Sequence, residues 1–378
     1  MMSKIQMVDL QKQYHRLKAE IDEAIFSTIE SSQFIRGNHF TNFQLELAEY
    51  LGSEKVIACA NGTDALQIAL MALGLEKGDE VIVPAFTYVA TAEVIGLLGL
   101  KPVMIDVNPQ SFNITADLVA EAITDKTKLI VPVHLFGQCT DMEPILRLSQ
   151  EKGISIVEDT AQAIGAAYTF ADGSVKKAGC IGDIGTTSFF PSKNLGCFGD
   201  GGALYTNNSD LAEKIRMIAN HGQSVQYIHD IIGVNSRLDG LQAGILRVKL
   251  KELDDFAFRR NQVADYYDEH LRDISSIETP FRQPNSTHVF HQYTIKVKDK
   301  QRDNLKKYLA SKDIPSMVYY PMPLHHQKAF KDIGKTIGNL DISEQLCSEV
   351  LSLPIHTEME AEQLTYIVEN IREFFAGK

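Results

Sequence analysis

Residues 55–75 read KVIACANGTDALQIALMALGL. A short apolar run, KVIACA, is broken by Asn61 and Gly62, and apolar residues then recur with a period near 3.6. That is a strand, a turn and a helix, and the unit repeats downstream. DEVIVPAF (79–86) predicts a strand and TYVATAEVIGLLGL (87–100) a helix, followed by KPVMIDV (101–107) and TADLVAEAI (115–123) in the same two roles. TKLIVPVHLFG (127–137), MEPILRLSQEKG (142–153) and ISIVEDT (154–160) continue as strand, helix and strand. Alternation of continuous apolar strands with amphipathic helices predicts an α/β fold whose parallel sheet is covered on both faces. Such sheets bind ligands beyond the carboxyl ends of their strands, so the residues just after each strand carry the functional question.

The texture changes after Arg237. Residues 237–274, RLDGLQAGILRVKLKELDDFAFRRNQVADYYDEHLRDI, read as one long helix with charged faces. HVFHQYTIKV (288–297), DNLKKYLASK (303–312) and AEQLTYIVENIREFFAG (361–377) then predict a smaller α+β unit. The expected organisation is a large domain over residues 1–250, N-terminal helix included, and a small C-terminal domain over 251–378.

The chain has 378 residues and a formal charge of −12, with 44% hydrophobic and 23% charged residues. This is the composition of a globular protein with a sizeable core. The acidic balance argues against non-specific attraction to nucleic acid or an anionic membrane, both polyanions. No apolar run is long and uninterrupted enough to predict a spanning helix, and the start has no signal-peptide core, so a cytoplasmic protein is expected. Cys59, Cys139, Cys180, Cys197 and Cys347 are scattered without CxxC spacing, which predicts buried free thiols and no metal site.

Four local patterns carry chemistry. In ACANGTDALQ, Gly62 lets the backbone approach a ligand and Thr63 can cap a helix whose free amides suit a phosphate; an ordinary cap has the same pattern. Tyr88 follows the next strand as a packing residue or a stacking platform. In IVEDTAQAIGA, Glu158 and Asp159 end an apolar strand, where a carboxylate needs a partner, and Gln162 is expected one helical turn on, sharing the face of Asp159. In TTSFFPSKNLGCFGDGGAL, Lys193 lies between an apolar strand and a glycine-rich turn. Desolvation would lower its pKa and make its amine a nucleophile. A phosphate cradle, an aromatic platform, a strand-end carboxylate and an enclosed lysine together are the parts that hold pyridoxal 5′-phosphate (PLP).

The order NGTDALQIAL, PAFTYVATAEVI, PVHLFGQ, VEDTAQAIGA, SFFPSKNLGCFGDGGAL, GVNSRLDGLQAGIL, YYPMPLHHQKAF and LSLPIHTEM resembles the sugar aminotransferases of the DegT type over nearly the whole chain. The resemblance implies an aspartate-aminotransferase-like fold of type I, with a mainly parallel seven-stranded sheet in the large domain and a smaller α+β C-terminal domain. It also implies a homodimer with shared active sites. By the same resemblance, Lys193 binds PLP covalently and Asp159 pairs with the pyridine nitrogen; these two are the catalytic residues. Gln162 lies near the ring hydroxyl and Tyr88 stacks on the ring. Gly62, Thr63 and Ser188 take the phosphate, joined by Asn235 from the partner subunit. Arg237 stands near the sugar, suited to a uronate carboxylate, with an ion pair to Asp239 as its structural alternative. Tyr320, His325 and His326 fall in the substrate-side segment, neither histidine having metal-ligand spacing to a third ligand. His134 reads as strand-end packing, and His221 and His229 flank a mobile loop.

The implied reaction moves an amino group from L-glutamate to a nucleotide-linked keto sugar through pyridoxamine phosphate. The look of the HGQ and GVNSRLD segments is nearest to relatives aminating UDP-2-acetamido-2-deoxy-3-oxo-glucuronate, for lipopolysaccharide or other surface-polysaccharide biosynthesis. Ser236 is also seen in relatives acting on dTDP-3-keto-6-deoxyhexoses. Some members of the family are dehydratases with histidine in place of the lysine, which Lys193 argues against. A PLP-binding regulator is a further reading, although no helix-turn-helix or basic arm is evident. A Rossmann dehydrogenase is disfavoured because FGDGGA lacks the GxGxxG spacing and context.

Overall fold

The computed structural model describes residues 3–377. The β–α repeat folds as the sequence predicts. Its strands are β1 (Lys55–Cys59), β2 (Glu80–Pro84), β3 (Lys101–Ile105), β4 (Thr127–Ile130), β5 (Ser155–Asp159), β6 (Ile184–Ser188) and β7 (Gly202–Thr206). They lie in one sheet in the order β1-β7-β6-β5-β4-β2-β3, and β7 alone runs antiparallel to its neighbours. An eighth strand, β8 (Lys335–Thr336), corrects the expected count of seven. It pairs in parallel with Val103 and Met104 at the edge, and Lys335 Nζ donates to Glu80 at 3.0 Å. Two residues are too few to show a periodicity, so the sequence hides this strand.

Strands β2, β4 and β5 are almost wholly buried, as expected of strands covered on both faces. Helix Gly62–Leu73 buries Ala65, Leu66, Ile68, Ala69, Leu70 and Ala72 against one face, with helix Ala90–Leu97 beside it. The other face presents Val103, Ile105, Ile130 and Ile156 to helix Met142–Lys152.

The expected long helix after Arg237 is two helices, Gly240–Lys251 and Leu253–Leu271, which meet at Glu252. The first buries eight of its residues against helices Lys18–Ser31 and Asn38–Leu51. The second turns away to begin the C-terminal core, and periodicity alone does not register the change of direction. Ile277–Glu278, Tyr293–Val297 and Val350–Leu353 form an antiparallel three-stranded sheet covered by helices Arg302–Ser311 and Ala361–Ala376. Ile5 is buried in this C-terminal core, so the N-terminal segment spans both parts. The segment expected to be a mobile loop contains a small hairpin, Gln223–Val225 with Ile228–His229. All five cysteines are buried and free, and no helix among the described residues is long and apolar enough to cross a membrane.

Candidate active site

The carboxyl ends of the central strands converge on a cavity of about 850 Å³. Gly62, Thr63, Tyr88, Asp159, Gln162, Ser188, Lys193 and Tyr320 all line it. Three of them sit where the topology requires: Asp159 and Ser188 are the last residues of β5 and β6, and Gly62 opens the helix after β1. Tyr320 arrives from the C-terminal part, so the cavity lies between the two cores.

The helix after β1 begins at Gly62 and its N-cap is Asn61, not Thr63. Asn61 is extended, and its Oδ1 accepts the Asp64 amide at 2.8 Å. Thr63 therefore stands inside the first turn with its hydroxyl free of a capping role, and the Gly62 and Thr63 amides have no intrahelical acceptor. A Cβ on Gly62 would stand 2.7 Å from Ser188 Cβ, so only glycine lets the two arms of this cradle close.

Glu158 and Asp159 point to opposite sides of β5. Burial alone would raise the Glu158 carboxyl. His134 Nε2 at 2.8 Å and the amides of Gly179, Ile181 and Gly182 nevertheless hold it below the usual range. His134 is thus the hydrogen-bonding partner of a buried carboxylate rather than mere packing. Its Nε2 contact lies 24 positions away in sequence, which no local pattern discloses.

Asp159 faces the cavity. Its Oδ2 accepts from Thr91 Oγ1 at 2.9 Å and its Oδ1 from the Ala161 amide at 3.1 Å. Burial pushes its carboxyl above the ordinary value despite these bonds and the charge of Lys193. Gln162 lies on consecutive turns through residues 161–165, not on the expected helix. It still reaches the cavity: Oε1 accepts the Phe136 amide at 2.9 Å, and Nε2 donates to Tyr320 Oη at 3.0 Å. Tyr88 is 57% exposed, with its ring centroid 6.3 Å from that of Tyr320, and presents an open aromatic surface.

Lys193 is half-buried on the cavity wall with its ammonium enclosed. Burial lowers its pKa to about 8, against the attraction of Asp159. The amine is therefore partly free near neutral pH. Thr87 and His291 line the same cavity, and Thr87 Oγ1 and His291 Nδ1 are buried without a hydrogen-bond partner among the described residues. The sequence reading missed Thr87, Thr91 and His291; the position of Thr87 just past β2 was the one available signal.

Four predicted residues lie elsewhere. Asn235 is exposed and bridges Asn220. Arg237 makes no ion pair with Asp239; its Nη2 donates to Asn220 Oδ1 at 3.4 Å beside a second cleft. His325 and His326 do gain a third neighbour, correcting the reading from spacing. Their Nε2 atoms lie 3.1 and 3.3 Å from the same oxygen of Glu344.

Residues 15–372 match the model of the DegT/DnrJ/EryC1/StrS aminotransferase family. The chain is 44% identical over 98% of its length to a Geobacillus stearothermophilus protein named pleiotropic regulatory protein, covering 98% of that protein. It is 42% identical over 96% of its length to the UDP-2-acetamido-2-deoxy-3-oxo-D-glucuronate aminotransferase of Pseudomonas aeruginosa, again covering 98% of the relative. A Brucella abortus DegT/DnrJ/EryC1/StrS aminotransferase superposes with a TM-score of 0.94 at 39% identity, over 99% of this chain and 100% of that one. Bacillus subtilis NtdA, solved with bound cofactor PMP, gives 0.91 at 32% identity, over 100% of this chain and 86% of its own. The architecture is therefore that of these aminotransferases, and the chain belongs to the DegT/DnrJ/EryC1/StrS aminotransferase family.

Proposed function

We propose that the protein transfers the amino group of L-glutamate to the C3 ketone of a nucleotide-linked sugar, using PLP held at Lys193, with UDP-2-acetamido-2-deoxy-3-oxo-glucuronate as the substrate. The observation that carries this reading is the enclosed amine of Lys193 in one cavity with Asp159 and the Gly62–Ser188 cradle. The cavity fits the cofactor. Its cradle excludes even a methyl group, it keeps orphaned polar atoms on Thr87 and His291, and its buried carboxyl lacks a full cationic partner.

Pyridoxal phosphate, when bound, takes up electrons released at the amino-acid α-carbon and carries the amino group from donor to acceptor. The chain supplies the rest. Gly62, Thr63 and Ser188 would hold the phosphate, Asp159 would pair with the ring nitrogen, and Gln162, fixed by Phe136 and Tyr320, would serve the ring hydroxyl. Tyr88 would give the ring an aromatic surface to stack on. Lys193 Nζ would hold the cofactor through its aldehyde carbon, and its amine would be the base that takes up and returns the substrate proton. A lysine with a pKa near 8 suits both directions, since it gains and loses a proton at little cost near neutrality.

The Pseudomonas relative supports a UDP uronate, and Arg237, free of any carboxylate partner among the described residues, suits its carboxylate. The feature shared with enzymes for dTDP-6-deoxy sugars, Ser236, is occupied within the fold. It is buried, its Oγ donates to Asp64 at 2.6 Å, and it accepts the Ala60 amide at 3.0 Å. It therefore offers no preference between sugars. A homodimer would bring Asn235 to a partner's phosphate, and the exposed Phe26, Ile29, Phe34 and Ile35 are the apolar surface such an interface would cover. We place the enzyme in the cytoplasm, where nucleotide sugars for surface polysaccharides are made.

The test is to load the protein with pyridoxamine phosphate and offer UDP- and dTDP-linked keto sugars. Amination of the UDP 3-oxo-uronate at C3 is expected. Conversion of dTDP-6-deoxy sugars alone would transfer the assignment to that class, and conversion of none would leave a PLP-binding regulator.

A further inference from the structure

A second cleft, of about 570 Å³, lies apart from the Lys193 cavity and shares none of its lining residues. Three guanidinium groups face it, from Arg36, Arg216 and Arg237, with Asn220, Gln226 and Tyr227 around them. The backbone fixes the arginines close together. Ile35 bridges Asp239, and the Gly240 amide donates to Phe34 O at 2.7 Å, which binds the segment carrying Arg36 to the segment carrying Arg237. Asn220, at the end of the helix bearing Arg216, bridges Asn235.

The charges are not balanced from within. Arg216 is engaged by Glu213, with Nε to Oε2 at 2.8 Å. Arg237 has only the Asn220 carbonyl at 3.4 Å. Arg36 has no ion-pair or hydrogen-bond partner for its guanidinium among the described residues, and burial followed by the charges of Arg237 and Arg216 makes its protonated form harder to hold. Like charges kept together at the mouth of a polar cleft cost free energy that an incoming oxyanion would return. Tyr227, 84% exposed, adds an uncommitted aromatic face beside them.

We propose that Arg36, together with Arg237, forms the receptor for the oxyanions of a nucleotide-sugar substrate, and that it serves the Lys193 cavity of a second copy of the chain. This rests on the aminotransferase reading but adds a residue, Arg36, and a ligand chemistry, a diphosphate or a sugar carboxylate. Two unpaired guanidiniums match the two charges of a sugar diphosphate. A carboxylate would engage them as a planar fork.

The experiment is titration calorimetry of the PLP-loaded protein with UDP, UDP-N-acetylglucosamine and UDP-glucuronate, on the unaltered chain, Arg36→Ala and Arg36→Lys. Arg36→Ala is expected to bind about tenfold or more weakly, with affinity falling as salt is raised. Equal loss for all three assigns Arg36 to the diphosphate, and loss for UDP-glucuronate alone assigns it to the carboxylate. Affinities within twofold of the unaltered protein for every ligand overturn the proposal. Mixing Lys193→Ala with Arg36→Ala subunits, after exchange and at substrate concentrations too low to saturate Arg36→Ala, is expected to raise activity above that of either preparation alone, because one site per mixed dimer is intact. Absence of any recovery removes the role in trans. A glutamate half-reaction on the unaltered protein stands as the separate check: its failure sinks the aminotransferase reading while leaving the binding result intact.

Discussion

Replacing Lys193 by methionine should abolish activity and, in the cofactor-free protein, increase stability. The amine has a pKa of about 8 in the fold and 10.5 in the unfolded chain. At about 1.36 kcal/mol per unit, that difference is about 3 kcal/mol against folding at neutral pH. The value is an upper bound, because the cavity admits water and the mutation also removes the partial support Lys193 gives Asp159. The sign follows from proton binding. Between pH 8 and 10.5 the unfolded chain holds a proton on this lysine that the folded chain has released. Stability from this group therefore rises as pH rises through that window, and the penalty is complete below it. Methionine keeps the length and apolar stem without the charge. Urea denaturation of both cofactor-free proteins at pH 7 and again above pH 10 should show Lys193→Met more stable at pH 7, by about 1–3 kcal/mol, with the gap shrinking at high pH. A variant less stable than the parent at pH 7, or a gap independent of pH, would refute the idea that the amine is held against its preference.

Other consequences are as direct. Asp159→Asn keeps the shape and the Thr91 contact but cannot hold a cationic ring nitrogen; kcat should fall about 10²-fold or more, with the bound cofactor's absorption altered. Gly62→Ala places a Cβ 2.7 Å from Ser188 Cβ. It should cost about 1–3 kcal/mol in stability by overpacking, and weaken PLP binding in a fluorescence titration more than it lowers the Tm of the cofactor-free protein. Arg237→Ala should reduce kcat/KM for a UDP uronate by about 10- to 100-fold and for a 6-deoxy sugar much less. Equal losses would remove the carboxylate argument.

The parts of the fold that were legible in the sequence are those written in periodicity. KVIACANGTDALQIALMALGL gave strand, turn and helix because its apolar spacing changes at Asn61–Gly62, and each later unit repeats the change. The cavity was legible where residues end a strand, as Asp159 does, or follow one within a few positions, as Tyr88 and Lys193 do. What escaped depends on distant partners. Thr91 meets Asp159 across 68 positions, and Glu344 meets His325 across 19. Glu252 separates two helices without proline or glycine, because packing of Gly240–Lys251 against the N-terminal helices turns the chain there. Asn61, rather than Thr63, caps its helix because the helix already starts at Gly62, soon after β1 ends at Cys59, and the turn residue is itself a good cap. Arg36 lay in a stretch with no motif; its position beside Arg237 depends on the Ile35–Asp239 bridge.

The central claim is that Lys193 is the amine that binds the cofactor. Borohydride reduction of the PLP-loaded protein, followed by digestion and peptide mass spectrometry, measures it directly. A phosphopyridoxyl group on the peptide containing Lys193, and on no other, is the predicted result. A label on a different lysine, or a yellow protein in which Lys193 remains unmodified, would contradict it.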